Sequence, residues 1–145
     1  DDDTWYKNKL SCQINLMDNK PEIGLCHTNQ YYINDKNKKY ISEKNIKNGK
    51  IFSDLILRNF IIFSSIVVRK SLIDKHHILF YEGIKTTEDW YFCLIICLHS
   101  KAMYIDKPLI NYFIHQENNS KNVALKYHST IKTLNIIQEN LIAEN

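Results

Sequence analysis

The chain has 145 residues, 44% hydrophobic and 12% aromatic, which is enough apolar material for one domain with a packed core and argues against disorder over most of its length. The net charge of +3 is mild, and the basic residues are almost all lysines scattered among asparagines and acids. Arginine, the better reader of bases and phosphates, occurs only at Arg58 and Arg69, so the composition argues against a dedicated nucleic-acid binder. No signal peptide is visible. The longest apolar run, Trp90 to Leu98, is too short to cross a bilayer, and the expected setting is the cytosol.

The chain opens DDDTW. Three adjacent carboxylates repel one another, and either a frayed acidic terminus or a metal site entered partway through accounts for them. From Trp5 to about Asp18 the apolar positions Trp5, Cys12, Leu16 and neighbouring Ile14 and Met17 predict a short amphipathic helix, stopped at NKPE. IGLCHTNQYYI reads as a strand, with Ile23, Leu25 and His27 sharing one face, and the polar NDKNKKY as the turn after it. GKIFSDLILRNF predicts a second helix, and the β-branched IIFSSIVVRK a second strand. KSLIDKHH is a short helix, and FYEGIKTTED a loop.

TTEDWYFCLIICLHS is apolar on every face after a polar start. Periodicity alone does not separate a buried strand from a buried helix there. The Thr-Thr-Glu-Asp opening, an N-cap followed by first-turn acids, favours the helix. AMYIDKPLINYFIH predicts two strands separated by a turn at Pro108. Finally, Val123, Tyr127, Thr130, Leu134, Ile137 and Leu141 recur at alternating spacings of four and three, the mark of one amphipathic helix. It packs on its own domain, or meets a membrane surface or a partner. The four cysteines form no CxxC pair, which fits reduced thiols that pack as small hydrophobes. Helices alternating with strands define an α/β fold.

Taken in order, DDDTWYKNKLSCQI, IGLCHTNQYYIND, FSSIVVRKSLI, TTEDWYFCLIICL and DKPLINYFIHQENNS resemble the inverting glycosyltransferases of family 2, which have the GT-A fold. The resemblance is to their second half and runs to about Ser120. It implies an acceptor-side catalytic part over residues 1–120, followed by a C-terminal amphipathic helix over 121–145. The sheet would be mixed, Rossmann-like and flanked by helices. It also implies an enzyme of the hexosyl-transferring class. The donor would be a nucleotide-diphospho-sugar and the acceptor a glycan or lipid-linked sugar, as in bacterial surface polysaccharide synthesis.

Site residues follow from the resemblance position by position. Counting back from Trp5, Asp2 matches the metal-holding second aspartate of an Asp-x-Asp motif. Asp1 then falls on the variable position and Asp3 on the following acid, both beside the nucleotide-sugar. A register with Asp1 and Asp3 as the motif pair remains open but puts Trp5 out of step. A doubly charged diphosphate leaves in such a transfer, and Mg²⁺ or Mn²⁺, held by one or two carboxylates, offsets its charge. Asp89 matches the family's base, which takes the proton from the acceptor hydroxyl. From residue types alone, Asp89 could instead close a capping box with Thr86.

The resemblance puts Glu88, Trp90 and Asn29 near the acceptor, although Asn29 stands where relatives often carry an aspartate. NYFIHQENNS resembles a Tyr-Arg-x-His segment whose histidine reaches the metal or the diphosphate. That histidine is His115, with Phe113 in the place of the arginine, and a purely structural His115 is the other reading. The preceding nucleotide-binding half is expected to be missing. The segment alone is then inactive, and its uncovered sheet edge favours homodimers. The reading from another class is a carbohydrate- or protein-binding domain that kept the half-fold without catalysis.

Overall fold

The computed structural model describes residues 2–34, 37–40, 46–114 and 123–143. The sheet is organised around β2 (Ile23–Ile33), whose residues from Ile23 through Gln30 are all buried. One edge of β2 pairs in parallel with β5 (Lys101–Phe113), and β1 (Thr4–Trp5) lies antiparallel on the far side of β5. The other edge is shared: β3 (Lys38–Tyr40) pairs antiparallel with the end of β2, and β4 (Val67–Val68) with Leu25 and Cys26. This is the expected α/β architecture, a mixed sheet with helices packed against it.

The sequence predicts a break at Pro108, yet β5 runs straight through it. Proline lacks the N–H that a ladder needs, so within a sheet it is confined to edges and bulges. Here the parallel register slips on both sides of Asn29, which lies opposite Pro108. The Asn29 side chain fills the gap: Nδ2 donates to Asp106 Oδ1 at 3.0 Å, and Oδ1 accepts from the Gln30 N–H at 2.9 Å. The irregularity is a bulge with its own hydrogen bonds.

The first helix, α1 (Lys9–Asp18), starts later than the apolar pattern predicts, because Trp5 belongs to the edge strand. Its buried residues are Lys9, Gln13 and Met17, one above the other at four-residue spacing. Ile14 and Leu10 are each 44% exposed, so the stripe that periodicity selects is not the buried one. Gln13 explains part of this choice, since its Nε2 donates to both the Cys26 and the Ser65 carbonyls at 2.9 Å.

α2 (Phe52–Leu57) is shorter than expected and ends where Arg58 turns extended. Most of the strand predicted after it is absent. Phe63–Ser65 forms a 3₁₀ turn in which the Ser65 N–H and hydroxyl both reach the Ile62 carbonyl, and only Val67–Val68 pairs. α3 (Lys70–His76) follows as predicted. α4 (Glu88–His99) is buried continuously from Trp90 to Cys97 and, with Leu25, Ile51, Leu55 and Ile137, makes the main core. α5 (Val123–Ala143) buries Ser129, Thr133 and Ile137. It packs on its own domain, but along a stripe rotated from the predicted one: Val123 and Tyr127 are exposed. Cys12, Cys26, Cys93 and Cys97 are free thiols. Among the described residues, no helix is long and apolar enough to cross a membrane.

Candidate functional site

The acidic start is held at the end of the sheet by Asp3 and Trp5. Asp3 Oδ1 accepts from the Phe113 N–H at 3.0 Å, and Oδ2 accepts from the Ser64 hydroxyl at 2.5 Å. Trp5 Nε1–H donates to the Ser64 carbonyl at 2.9 Å. The edge strand is thereby tied both to the close of β5 and to the 3₁₀ turn. Both oxygens of Asp3 are spent on protein partners. Asp2, next to it, is exposed and looks into a cleft.

That cleft encloses about 780 Å³. Trp5, Ile61, Ile62, Phe63 and Ile66 give its lining apolar surface, Asp2, Asp3, Asp89 and Lys126 give it charge, and Asn59, Ser64 and Tyr112 add hydrogen-bonding groups. Among the described residues of the lining, Lys126 is the one cation beside three acids. A concave site that combines apolar side chains with convergent polar groups is the usual form of a small-molecule site.

Asp89 is the second residue of α4. Its Oδ1 accepts from the Trp90 N–H at 2.6 Å. No capping box forms: Thr87 is the N-cap residue, and its hydroxyl pairs with the buried Thr133 hydroxyl at 2.8 Å, joining α4 to α5. Burial raises the Asp89 pKa above the usual carboxylate value. The Trp90 N–H pulls it back, neighbouring Glu88 adds to the rise, and Lys126 opposes it. The result is a carboxylate more basic than one in water, facing a cavity, which is the combination a proton acceptor needs.

The other expected acceptor contacts lie away from this cleft. Asn29 is fully buried and committed to Asp106 and Gln30. Trp90 is a core residue whose Nε1–H donates to the Leu55 carbonyl at 2.9 Å. Glu88 does not line the cleft, and its Oε2 is buried without a hydrogen-bond partner. Asp1 and His115 lie outside the described residues. Among the described residues no group of three or more His, Cys, Asp or Glu side chains could hold a metal ion. Among the described acids of the start, Asp2 and Asp3 both line the cleft. A single carboxylate fits Mg²⁺, which takes its remaining ligands from phosphates and water.

Sequence reasoning missed Ser64, Asn59, Tyr112 and Lys126. Nothing in FSSIVV signals that a serine 61 residues away fixes Asp3, and Lys126 is one of two lysines on α5 with no motif around it.

No protein-family model and no curated protein matches the chain. The fold class, an α/β domain with a mixed sheet and flanking helices, is shown by comparison with solved structures. The crystal structure of S. aureus TarS 1–349 in complex with UDP is similar at a TM-score of 0.58 and 17% identity, over 81% of this chain. The chain spans about a third, 35%, of the length of that structure.

Proposed function

We propose that the chain is the acceptor-side part of a glycosyltransferase that moves a sugar, with inversion, from a nucleoside diphosphate to a hydroxyl of a glycan or lipid-linked acceptor. The observation that carries this reading is the sharing of one cleft by Asp2 and Asp89. The likeness to a UDP-bound structure supports a nucleoside diphosphate as the leaving group.

In the proposed reaction the acceptor hydroxyl gives its proton to the Asp89 carboxylate. Its oxygen forms the new bond to the anomeric carbon from the face opposite the diphosphate. The bond from that carbon to the diphosphate oxygen breaks, and the nucleoside diphosphate leaves with the electron pair. Burial keeps Asp89 basic enough to accept the proton, and a placed base of this kind contributes about 10²- to 10⁴-fold. Asp2 would hold Mg²⁺ or Mn²⁺, whose charge offsets that of the departing diphosphate. Lys126 brings a further positive charge to the same cleft. Asp3, bonded to Ser64 and Phe113, positions the segment that bears Asp2.

The test is transfer by the longer protein that supplies the nucleotide-binding part, assayed against a panel of nucleotide sugars. Asp89→Asn is expected to lower kcat by at least about 10²-fold while the affinity for donor stays unchanged. Substantial transfer by the variant removes Asp89 from the role of base. Binding of glycans without transfer from any donor would favour a non-catalytic carbohydrate-binding domain.

A further inference from the structure

Trp5 is one of two tryptophans, and the two have opposite surroundings: Trp90 is 6% exposed and Trp5 is 52% exposed. An indole offers a large rigid face that is apolar and an edge N–H that is polar. Trp5 is also held rigidly. Its Nε1–H is fixed on the Ser64 carbonyl, and the Lys9 ammonium stands 4.0 Å from the ring centroid. Its neighbours are ordered by strand pairing, with Trp5 beside Ile110 and Thr4 beside Asn111.

The same ring borders two cavities. One is the 780 Å³ cleft of Asp2 and Asp89; the other is a shallow cleft of about 470 Å³ lined by Trp5, Tyr6, Lys7, Asn8 and Asn111. In the second, Asn111 Nδ2 donates to the Thr4 hydroxyl at 3.0 Å, while its Oδ1 is buried without a hydrogen-bond partner. Asn8 and Lys7 add an amide and an amine at the rim.

We propose that Trp5, with Asn8 and Asn111, forms a carbohydrate subsite that seats a pyranose of the acceptor glycan next to the catalytic cleft. The chemistry selects a sugar. One face of a pyranose carries C–H groups that lie flat on an indole, and its edge carries hydroxyls that need amide partners beside the ring. An apolar peptide or lipid would leave Asn8, Asn111 and Lys7 unpaired. The ring is common to both cavities, which places a glycan stacked on it beside the cleft of Asp89. The sugar-binding claim stands on the platform alone; its assignment to the acceptor rests on the transferase reading.

Two measurements test it. In the 145-residue chain, acrylamide reaches Trp5 and not the buried Trp90, so quenching of tryptophan emission reports on Trp5. Cellotetraose or maltotetraose at millimolar concentration is expected to protect Trp5 from the quencher, and Asn8→Ala to weaken that protection. Absence of protection by both sugars overturns the subsite whether or not transfer is ever seen. In the longer transferase, Trp5→Ala is expected to raise the acceptor KM about tenfold with the donor KM unmoved, and Trp5→Phe to raise it by less than about threefold. Phenylalanine keeps a face to stack on but loses the bond to Ser64. Equal effects of the two variants, or an effect on the donor KM alone, would mean that Trp5 only props the acidic segment, and the subsite falls. Protection in the chain combined with no transfer from any nucleotide sugar in the longer protein overturns the transferase reading and leaves the sugar site standing.

Discussion

Two layers of the molecule hide their residues by different rules. Around α4 burial is apolar: Trp90 through Cys97 pack with Leu25, Ile51, Leu55, Ala102 and Ile137. Around α1 and the second half of β2 it is polar: Lys9, Gln13, His27, Thr28, Asn29 and Gln30 are each 3% exposed or less. The apolar partners of α1 form only a small cluster around Met17, Ile23 and Cys26. The α4 layer is stabilised by area removed from water. The α1 layer depends on individual hydrogen bonds, and Lys9 Nζ and Gln13 Oε1 in it have no hydrogen-bond partner, as is also true of His27 Nε2 on β2. Trp5, Asp2 and Asp3 precede α1, whereas the third acid of the cleft, Asp89, belongs to α4.

This contrast can be tested most strongly in α4. Leu94 is fully buried, and Leu94→Ala is expected to cost about 4 kcal/mol in denaturant unfolding, since a cavity there has only apolar neighbours. A loss below about 1 kcal/mol would mean the layer can collapse around the gap.

The polar layer should reveal itself through pH. Burial lowers the His27 pKa from 6.5 to about 4. Between those values the unfolded chain binds a proton that the folded chain refuses. Stability is therefore fully present above pH 6.5 and falls as pH drops toward 4, by roughly 3 kcal/mol in total. His27→Phe should flatten that fall when unfolding is followed from pH 7 to pH 4.

Gly24 sets how closely β2 approaches the α4 side. A Cβ there would stand 2.2 Å from Ser100 Oγ and 2.6 Å from Leu72 Cδ2, and Ser100 is fixed on the Ile96 carbonyl at 2.8 Å. Gly24→Ala is expected to cost about 2 kcal/mol, measured as a lower urea midpoint with the slope unchanged.

The smallest effect has the opposite sign. Burial pushes the Lys9 pKa down to about 8, and its Nζ has no hydrogen-bond partner, so the ammonium is a liability in the fold. Lys9→Met keeps the length of the side chain and removes the charge, and is expected to raise stability at pH 7 by about 1 kcal/mol. A destabilised variant would show that contact with the Trp5 ring outweighs the cost of burial.

The elements that could be read in the sequence are those whose burial is apolar. β2 was legible over its full length, α3 and α4 at nearly their true bounds, and α5 as one long helix. Where a polar group decides the packing, local patterns pointed elsewhere. Gln13 turns α1 onto the face that also buries Lys9. The Ser65 hydroxyl holds a 3₁₀ turn where β-branched residues suggested a strand. The Asn29 amide carries β5 past Pro108 and is itself taken out of reach of any ligand. The candidate site divides along the same line. Its acids were visible because carboxylates stand out in a sequence; Ser64, Tyr112 and Lys126 were not, because only folding brings them near Asp2.

By itself, then, the amino-acid order determined the α/β class, the buried helix that begins with Glu88 and Asp89, and the acids available for chemistry, because periodicity and residue type are local properties. Only the tertiary structure decided which face each helix hides, which acids are spent on hydrogen bonds and which look into a cavity. Those outcomes depend on partners dozens of residues away. A polar side chain settles wherever the rest of the fold leaves a donor or acceptor unpaired.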